Sequence, residues 1–468
     1  MSSTFSGIST ALNALMAQRA ALTLTGQNIA NANTVGYTRQ RAELAAVVPP
    51  GRVGMMGGST TELNGGGVTI DSIRRLADAF VDARQRDAHS RVAQAQAQAS
   101  TLGQVEAIMA EPSDRGLSTQ LTALWNSWQG VANNPGSLPA RQALLSKAAT
   151  VVSTLQSGRA SVDAAYADTR TQLDALSAQV NVTARGVAQL NDQIRQVTAG
   201  GGSPNELIDQ RDQLVLQLST LVGARSTPAD DGTVNVSVNG VGIVSGTRWA
   251  TLQPGGGKTI DTLPGDPLTM MWSNGSAASF SAGTLAGVVD TLRTVYPDVA
   301  NGYDQVASTL ASSVNALHST AQDLDGTATG AFFTGTTAKT LQVAVTDARR
   351  VGAAQRVPGP PPTPTLDASV ADQIAQLAAS TAGADTRWSS FVAAIGVASA
   401  SAQNQVAVHS SITQQADANR AAASGVSIDE EMTNMLMFQR AYEGAARVMT
   451  SVDEMLDTLI NRMGQVGR

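Results

Sequence analysis

An unbroken helical repeat in the middle of the chain is the feature that most limits its fold. Over residues 173–197 one set of positions recurs in alternating steps of three and four: Leu173, Leu176, Val180, Thr183, Val187, Leu190, Ile194 and Val197. This spacing lines up one mainly apolar stripe along a helix. We predict a helix over about residues 144–198, which at about 50 residues would be roughly 75 Å long. The chain is therefore predicted to be mainly α and to form an elongated rod of long antiparallel helices.

The segment after this helix predicts a tight helical hairpin. Gly200 to Gly202 would form the turn, and Ser203 and Glu206 would form a capping box with Pro204 at the first helical position. Gly223 would end the second helix. Two antiparallel helices follow from these signals.

A change of period marks a small β-rich insertion at about residues 226–281. Val234, Val236 and Val238 alternate with polar residues, and turn dipeptides such as Asp231-Gly232 and Asn239-Gly240 interrupt the pattern. Helical character is predicted from near Ile73, again over 285–320, and from about 368 to the end. Residues 41–71 read as extended chain and turns, and residues 322–366 as irregular structure with a Pro-rich connector.

The N-terminal segment carries a second apolar repeat, which we call the α1 seam. It comprises Phe5, Ile8, Leu12, Leu15, Leu22 and Ile29, at steps of three, four and seven. The stretch NIANANTVGYTRQ, residues 28–40, then ends the predicted helix. Gly36 and the asparagines tolerate the left-handed conformation that closes helices and turns.

The C-terminal segment carries the best-specified helix of the chain. Ser427 and Glu430 would form a capping box, and Asp429 and Glu431 would favour the positive end of the helix dipole. The carboxylate pair Glu430 and Glu431 is interpreted as part of a solvated helix start. The apolar repeat, here the α10 seam, alternates strictly in steps of three and four. Its residues are Met435, Phe438, Tyr442, Ala445, Met449, Val452, Leu456, Leu459 and Met463.

Bulk composition excludes several partners and chemistries. The formal charge is −6 and the pI is near 5.2, so nucleic acid is not expected as the main partner. The chain has no cysteine, which removes thiol catalysis and disulfides. We find no cleaved secretory signal at the N-terminus and no apolar run of about 18 residues, so no membrane span is expected.

Several short segments resemble ligand-binding motifs but lack the residues or the spacing that those motifs require. GGGKT at 255–259 lacks the first glycine of a phosphate-binding loop, since Leu252 stands there, and DLDG at 323–326 lacks the remaining ligands of a calcium loop. The three histidines, His89, His318 and His409, have no zinc spacing. We therefore predict no catalytic residue, no metal site and no cofactor, and no enzyme activity.

Both chain ends resemble the bacterial flagellar axial family of rod, hook and hook-associated proteins. The resemblance rests on the N-terminal pattern Asn-Ile-Ala-Asn-x-Asn-Thr-x-Gly-Tyr and on Gln-Arg-Ala-Tyr-Glu near the C-terminus. Residues 133–148 and 190–223 are similar to segments of hook-associated members. The family motif falls on Asn28, Ile29, Asn31, Asn33, Thr34, Gly36, Tyr37, Arg39 and Gln40.

This resemblance implies a subunit made of three regions. Residues 1–40 and 425–468 would form a terminal helical coiled-coil domain, the axial core. Residues 41–225 and 286–424 would form a long-helix rod domain, and residues 226–285 a small β-rich outer domain.

The resemblance also implies a function and partners. The chain would be a structural flagellar subunit that joins hook to filament and assembles at the distal hook end. It would be extracellular, exported through the flagellar type III apparatus, and its partners would be copies of itself, the hook protein, a second junction protein and an export chaperone. Alternatives are a hook or distal-rod protein, which absence of the hairpin at 144–223 would favour, a secreted rod-associated peptidoglycan hydrolase, and a coiled-coil adhesin or effector.

The energetics of the chain ends lead to one further expectation. Burying the nine positions of the α10 seam would contribute about 15–25 kcal/mol, whereas ordering the helix costs on the order of 1–2 kcal/mol per residue. We therefore predict that the ends are largely disordered in the free subunit and fold when the terminal helices of neighbouring subunits bury each other's seams.

Overall fold

The computed structural model describes residues 2–47, 66–357 and 363–458, with side chains from Gly7 onward. Long helices dominate it and strands are short, so the predicted mainly α class with a small β-rich insertion is confirmed. The long helices are α1 (Ser2–Ala30), α2 (Ala79–Met109), α3 (Leu117–Asn133), α4 (Leu138–Ala199), α5 (Asn205–Val222), α7 (Tyr296–His318), α9 (Ala384–Ser424) and α10 (Ile428–Asp457). Shorter helices are α6 (Thr284–Asp290) and α8 (Ser369–Ala375).

Helix α4 is the long central helix that the sequence predicts, and it begins earlier than expected. Its 62 residues correspond to roughly 93 Å. The Ser137 side chain accepts a hydrogen bond from the Ala140 N–H, and the proline in the first turn has no N–H to lose there. Most of the predicted stripe is buried, including Leu173, Val180 and Val187.

Helix α5 packs antiparallel against α4, as predicted, but it does not begin with a capping box. Pro204 occupies the N-cap position and no side chain caps the helix, so the predicted Ser203–Glu206 box is wrong. The side chain of Glu206 instead accepts a hydrogen bond from Gln40. The C-terminal end follows the prediction, because Gly223 adopts a left-handed conformation at φ +66°.

The β-rich segment forms two small antiparallel sheets. Strands β3 (Arg225–Pro228), β4 (Val234–Val238), β5 (Val241–Ser245) and β6 (Arg248–Trp249) pair in chain order, and β7 (Leu252–Gly255) pairs with β8 (Thr269–Trp272). Asn239 and Gly240 both have positive φ, as a tight hairpin turn requires. Val234, Val236 and Val238 are buried in the core shared with α4 and α7. The predicted irregular region contains the two-residue strands β9 (Ala321–Gln322), β10 (Phe333–Thr334), β11 (Gln342–Val343) and β12 (Ala354–Gln355).

A hairpin precedes α2, so the helix predicted from Ile73 begins later. Strands β1 (Gln40–Ala46) and β2 (Val68–Arg75) pair antiparallel, and Ile73 belongs to β2. The Asp78 side chain caps α2 by accepting from the N–H groups of Phe80 and Val81. Helix α9 packs antiparallel against α2, and helices α2 to α9 with the β-rich segment form what we call the body of the molecule.

Polar pairs mark both ends of the α2–α9 contact. Arg420 binds Asp82 at one end, at 3.1 Å, and Ser399 donates to Glu106 toward the other. Between them Asp417 accepts from Gln85 and contacts His89.

Candidate functional site: the junction between the terminal helices and the body

Helices α1 and α10 of the same chain pack against each other. A Cβ at Gly7 would lie 3.9 Å from a Val452 methyl group, and Val452 is buried. Met435, Phe438, Ala445, Met449 and Leu456 share this side of α10 and are half-buried. The chain's own α1 therefore contacts the α10 seam, and the expectation that only a neighbouring subunit covers it is corrected in this respect.

The packed face of α1 is rich in alanine and lies beside the predicted seam. Ala11, Ala17, Ala21 and Leu24 are buried. One residue along a helix is a rotation of about 100°, and Ala11 and Ala21 each precede a seam residue by one position, so the α1 seam lies to one side of this stripe. Leu12 in the seam is 43% exposed and neighbouring Met16 is 65% exposed. Two large apolar side chains of α1, Leu12 and Met16, are thus left exposed while Ala11, Ala17 and Ala21 are buried.

Helix α10 also has an uncovered apolar flank, which we call the α10 flank. Met437, Val448 and Met455 are each more than half exposed. Together with Ala441, Gly444 and Ser451 they repeat in steps of four and three, about 100° from the α10 seam. Within the described part of α10 only Glu431 and Val452 are buried.

Asn28 is the centre of a buried hydrogen-bond network at the end of α1. Its Nδ2 donates to the Gln40 carbonyl, at 2.9 Å, and to Glu431 Oε2, at 3.0 Å. Its Oδ1 accepts from the Tyr37 hydroxyl and from the Gln40 N–H. One amide thus joins the last turn of α1, strand β1 and the first turn of α10.

Arg39 holds the start of α10 through charge. Its guanidinium donates to Glu431 at 2.7–2.8 Å and to Glu430 at 2.6 Å, and its N–H donates to the Ser424 carbonyl at the end of α9. The Glu430 side chain is largely exposed, but that of Glu431 is only 3% exposed. The interpretation of this pair as a solvated helix start is therefore wrong for Glu431, a buried carboxylate stabilised by Arg39 and Asn28.

Helix α5 joins the network through Asp209. Its carboxylate accepts from the Thr38 N–H at 3.1 Å and pairs with Arg75 of β2 at 2.6 Å. Burial raises the pKa of Asp209, and the positive charge of Arg75 opposes that shift. Arg75 also binds Asp212. Asn205 donates to Gln40 Oε1 and to the Ile73 carbonyl, so the first two turns of α5 are tied to both strands of the hairpin.

Tyr37 and Gly36 fit this junction for different reasons. Burial, and then the charges of Asp209, Glu206 and Glu431, raise the pKa of Tyr37 to about 12, so the phenol stays protonated and donates to Asn28. Gly36 has φ +82°, and a Cβ there would overlap the Gln213 side chain. Only glycine satisfies both demands.

The remaining motif residues close the end of α1. Asn31 donates to the Gln27 carbonyl and accepts from the Thr34 hydroxyl. Asn33 and Thr34 are exposed, and Ile29 is half-buried. Among the seam residues Ile8, Leu15 and Leu22 are half-buried, and Tyr442 is 38% exposed. Leu459, Met463 and the side chain of Phe5 lie outside the described residues.

Several residues of the junction were not singled out by the sequence. Asp209, Arg75 and Asn205 lie far from the motif in the chain, and no local pattern distinguishes them from ordinary surface polar residues. The sequence signal for the junction was confined to the motif itself, which places three asparagines and an arginine around the end of a helix. Because this density of hydrogen-bonding groups exceeds what a helix stop needs, it predicts partners elsewhere.

The arrangement is suited to holding elements together. Asp209 and Glu431 pair with arginines, and the Asn28 amide is fully used. Among the described residues no group of three or more His, Asp or Glu side chains could hold a metal ion. Both strands of the hairpin and helices α1, α5 and α10 meet here, so the junction fixes the direction in which the terminal helix pair leaves the body.

Comparison with known families agrees with the two ends of the chain. A family described as "Flagella basal body rod protein" matches residues 8–38, and one described as "Flagellar basal body rod FlgEFG protein C-terminal" matches residues 412–463. The terminal helix pair and its junction therefore define a protein of the flagellar axial class. The body matches a third family over residues 102–333, the "Flagellar hook-associated protein FlgK helical domain".

Relatives identify the family within this class. Flagellar hook-associated protein 1 of Bacillus subtilis is 30% identical over 511 aligned residues that cover 100% of both chains. The protein of the same name from Salmonella typhimurium is 30% identical over 70% of this chain, and the match spans 59% of that relative. The chain belongs to the flagellar hook-associated protein 1 family, and is a structural component of the bacterial flagellum.

A solved structure shares the fold. The flagellar hook junction protein FlgK from Burkholderia pseudomallei superposes with a TM-score of 0.64 at 15% identity, covering 75% of this chain and 100% of that chain. The long helical hairpin, whose absence would have favoured a hook or distal-rod protein, is present as α4 and α5.

Proposed function

We propose that this protein is the subunit that joins the flagellar hook to the filament. Copies of the chain assemble at the distal end of the hook after export through the flagellar type III apparatus. The hook protein lies beneath them and a second junction protein above, and an export chaperone binds the chain beforehand. The relatives' names and the class of the chain ends support this proposal.

The single observation that carries the proposal is the uncovered apolar surface of the terminal helix pair. The α10 flank remains largely exposed although the two helices already pack on each other, and on α1 Leu12 and Met16 are exposed while the rest of the described α1 seam is half-buried. Each large apolar side chain gains about 1.5–3 kcal/mol when it becomes fully buried. The exposed heptad-spaced stripe of α10, together with Leu12 and Met16 of α1, is the kind of surface that a helical polymer of identical subunits buries.

The junction gives this surface a fixed direction. Arg39, Asn28 and Asp209 bind the pair to a body that contains a 62-residue helix. A force on the terminal pair is then transmitted to the body through charge-assisted hydrogen bonds. A subunit between two tubular structures needs such a rigid connection.

A charge on the α10 flank tests the proposal. In a strain lacking the chromosomal copy, we expect Val448→Asp to be secreted but not retained on hooks, so that flagellin is released and cells do not swim. Val448 is 52% exposed, so the substitution does not disturb the subunit's core. The control is Thr450→Asp, an exposed position on the opposite side of the same helix.

Electron microscopy of hooks, together with blotting of the culture medium, gives the readout. Full retention of Val448→Asp on hooks with normal filaments would contradict the proposed assembly surface. Normal filaments in the strain without any copy of the gene would contradict the junction function itself.

A further inference from the structure

A second uncovered surface lies on the body, along α9. One side of α9 packs on α2 and includes the buried Ser399 and Ala402, and near its start the buried Trp388 packs against Tyr303 of α7. The opposite side, which we call the α9 outer face, is Val397, Ala400, Ser401, Asn404, Val408 and Ile412. Val397 is 71% exposed and Val408 is 58% exposed, and a shallow groove of about 520 Å³ is lined by the face from Val397 to Val408 together with Gln405 and His409.

This part of α9 lacks formal charge. No Asp, Glu, Lys or Arg occurs in residues 388–416, although the helix is exposed over this length. Of the charged residues near its two ends, Asp417 contacts His89, Arg420 binds Asp82 and Asp385 accepts from Trp125, while Arg387 is exposed. Protein surfaces normally carry interspersed charge, and the centres of protein interfaces are depleted of it.

The spacing of the α9 outer face suits a helix as its partner. Val397, Ser401, Asn404, Val408, Ser411 and Gln415 follow in alternating steps of four and three, which is the repeat of a coiled-coil seam. Two of these six positions, Val397 and Val408, are apolar and the other four are polar, so a partner helix would meet a mixed surface of apolar and hydrogen-bonding groups.

A membrane is a poorer partner for this face. A window within Ser369–Asp457 has a mean hydropathy of 1.2 and is 17% buried, so by length and composition it could cross a bilayer. A bilayer-spanning stretch of α9 that contained Asn404 and Gln405 would place their amide groups in hydrocarbon without partners, which is costly. The same helix is bound along its other side to α2 through Asp417 and Arg420.

We propose that the α9 outer face is a contact surface between neighbouring copies of this chain in the assembled flagellum. The proposal rests on the proposed function, which supplies the neighbouring copies. A partner that binds through electrostatic attraction requires complementary charge on the surface it contacts, and this face carries no formal charge. Copies that each carry a net charge of −6 repel one another, and a charge-free strip is where they approach at least electrostatic cost.

Site-specific photo-crosslinking in assembled flagella tests this contact. The chain has no cysteine, so Ser401→Cys provides a single attachment point for benzophenone maleimide on isolated hook-basal bodies. We expect a crosslinked product that mass spectrometry identifies as two copies of this chain. The control is Gln414→Cys, which is exposed on the same helix but lies outside the α9 outer face.

A charge at the centre of the face gives a second measurement. We expect Val408→Glu to lower the amount retained on hooks, relative to the amount secreted, by about tenfold, because it buries an unpaired charge in the contact. Gln414→Glu adds the same charge beside the face and is expected to be retained like the unmodified protein.

The outcomes separate this inference from the proposed function. Crosslinks from residue 401 to a different axial protein, to lipid or to nothing, in hooks that contain the variant, would overturn the α9 contact alone. Retention of Val408→Glu at the control level would also overturn it. Absence of the unmodified chain from hooks would overturn the proposed function and this inference together.

Discussion

At the scale of single residues, Asn28 is the most heavily used group in the junction. It is 1% exposed and makes four hydrogen bonds, two to the backbone of Gln40 and one each to Tyr37 and Glu431. A buried group that loses its partner costs about 1–3 kcal/mol. Asn28 therefore has a structural role, and its loss should weaken the attachment of both α1 and α10.

We predict that Asn28→Ala loosens both terminal helices from the body. Glu431 would keep Arg39 but lose its amide donor, and both backbone groups of Gln40 would lose a partner. Hydrogen exchange of residues 20–47 and 424–440 should become faster by an amount equivalent to about 1–3 kcal/mol. Asn33→Ala, at an exposed position of the same motif, should change exchange little. Equal effects of the two variants would show that the network does not hold the helices.

Burial of His318 makes the free energy of unfolding depend on pH, and the direction of its pKa shift gives the sign. It is fully buried, with Nδ1 2.7 Å from the Gly330 carbonyl and the Gly352 N–H donating to Nε2 at 2.9 Å. Burial lowers the pKa of His318, and the charge of Arg141 adds to the shift, although the Gly330 bond opposes it. The imidazole is thus neutral in the folded protein, with a hydrogen-bond donor on one nitrogen and an acceptor on the other.

We predict that stability falls as the pH drops below the ordinary histidine value. The unfolded chain binds a proton at His318 near pH 6.5 while the folded chain does not, so the free energy of unfolding decreases from there downward. Denaturant unfolding between pH 7.5 and 5.5 should show a smaller slope in His318→Phe than in the unmodified chain. His89→Phe, at a half-buried histidine, serves as the control. A slope unchanged by His318→Phe would contradict the buried neutral state.

At the scale of helices and strands, the apolar repeats predicted where helices form better than they predicted which side of each helix is packed. The 3–4 spacing of α4 and α10 predicted both helices, and in each the repeat lies on the packed side. In α1 the large residues predicted the seam, but the chain buries Ala11, Ala17 and Ala21 instead. Small residues allow α1 to approach its neighbours closely, and periodicity of large residues alone does not detect such a face.

Helix starts were misjudged where tertiary partners compete with local capping. Around Pro204 the expected cap partner Glu206 binds Gln40, and at the start of α10 Glu431 is drawn into the interior by Arg39. The Ser427 cap itself forms, since its hydroxyl oxygen accepts from the Glu430 N–H. Local capping rules therefore fail for a side chain that a distant arginine or amide binds instead.

At the scale of the whole molecule, the body and the terminal pair differ in how complete they are. The body has one contiguous apolar core that spans α3, α4, α7 and the β-rich segment. The 30-residue helix α10 buries only two of its described side chains. Helical order costs about 1–2 kcal/mol per residue, so packing of this extent does not stabilise α10 without further partners.

From the sequence alone we predicted the mainly α fold class, the helical hairpin and the resemblance of both chain ends to flagellar axial proteins. It could not predict the junction partners, because Arg75, Asp209 and Glu431 meet the motif only after residues far apart in the chain are folded together. The α9 outer face is visible in sequence as the charge-free stretch 388–416, but only the structure shows that this stretch is exposed and therefore unusual.

Hydrogen exchange of the terminal helices, before and after assembly, tests the central claim most directly. In the free chain we expect amides of residues 8–30 and 432–457 to exchange far faster than those of α4, and in isolated hooks carrying the protein to become as slow as α4. Protection of the terminal helices equal to that of α4 in the free monomer, unchanged on assembly, would contradict the claim that other copies complete them.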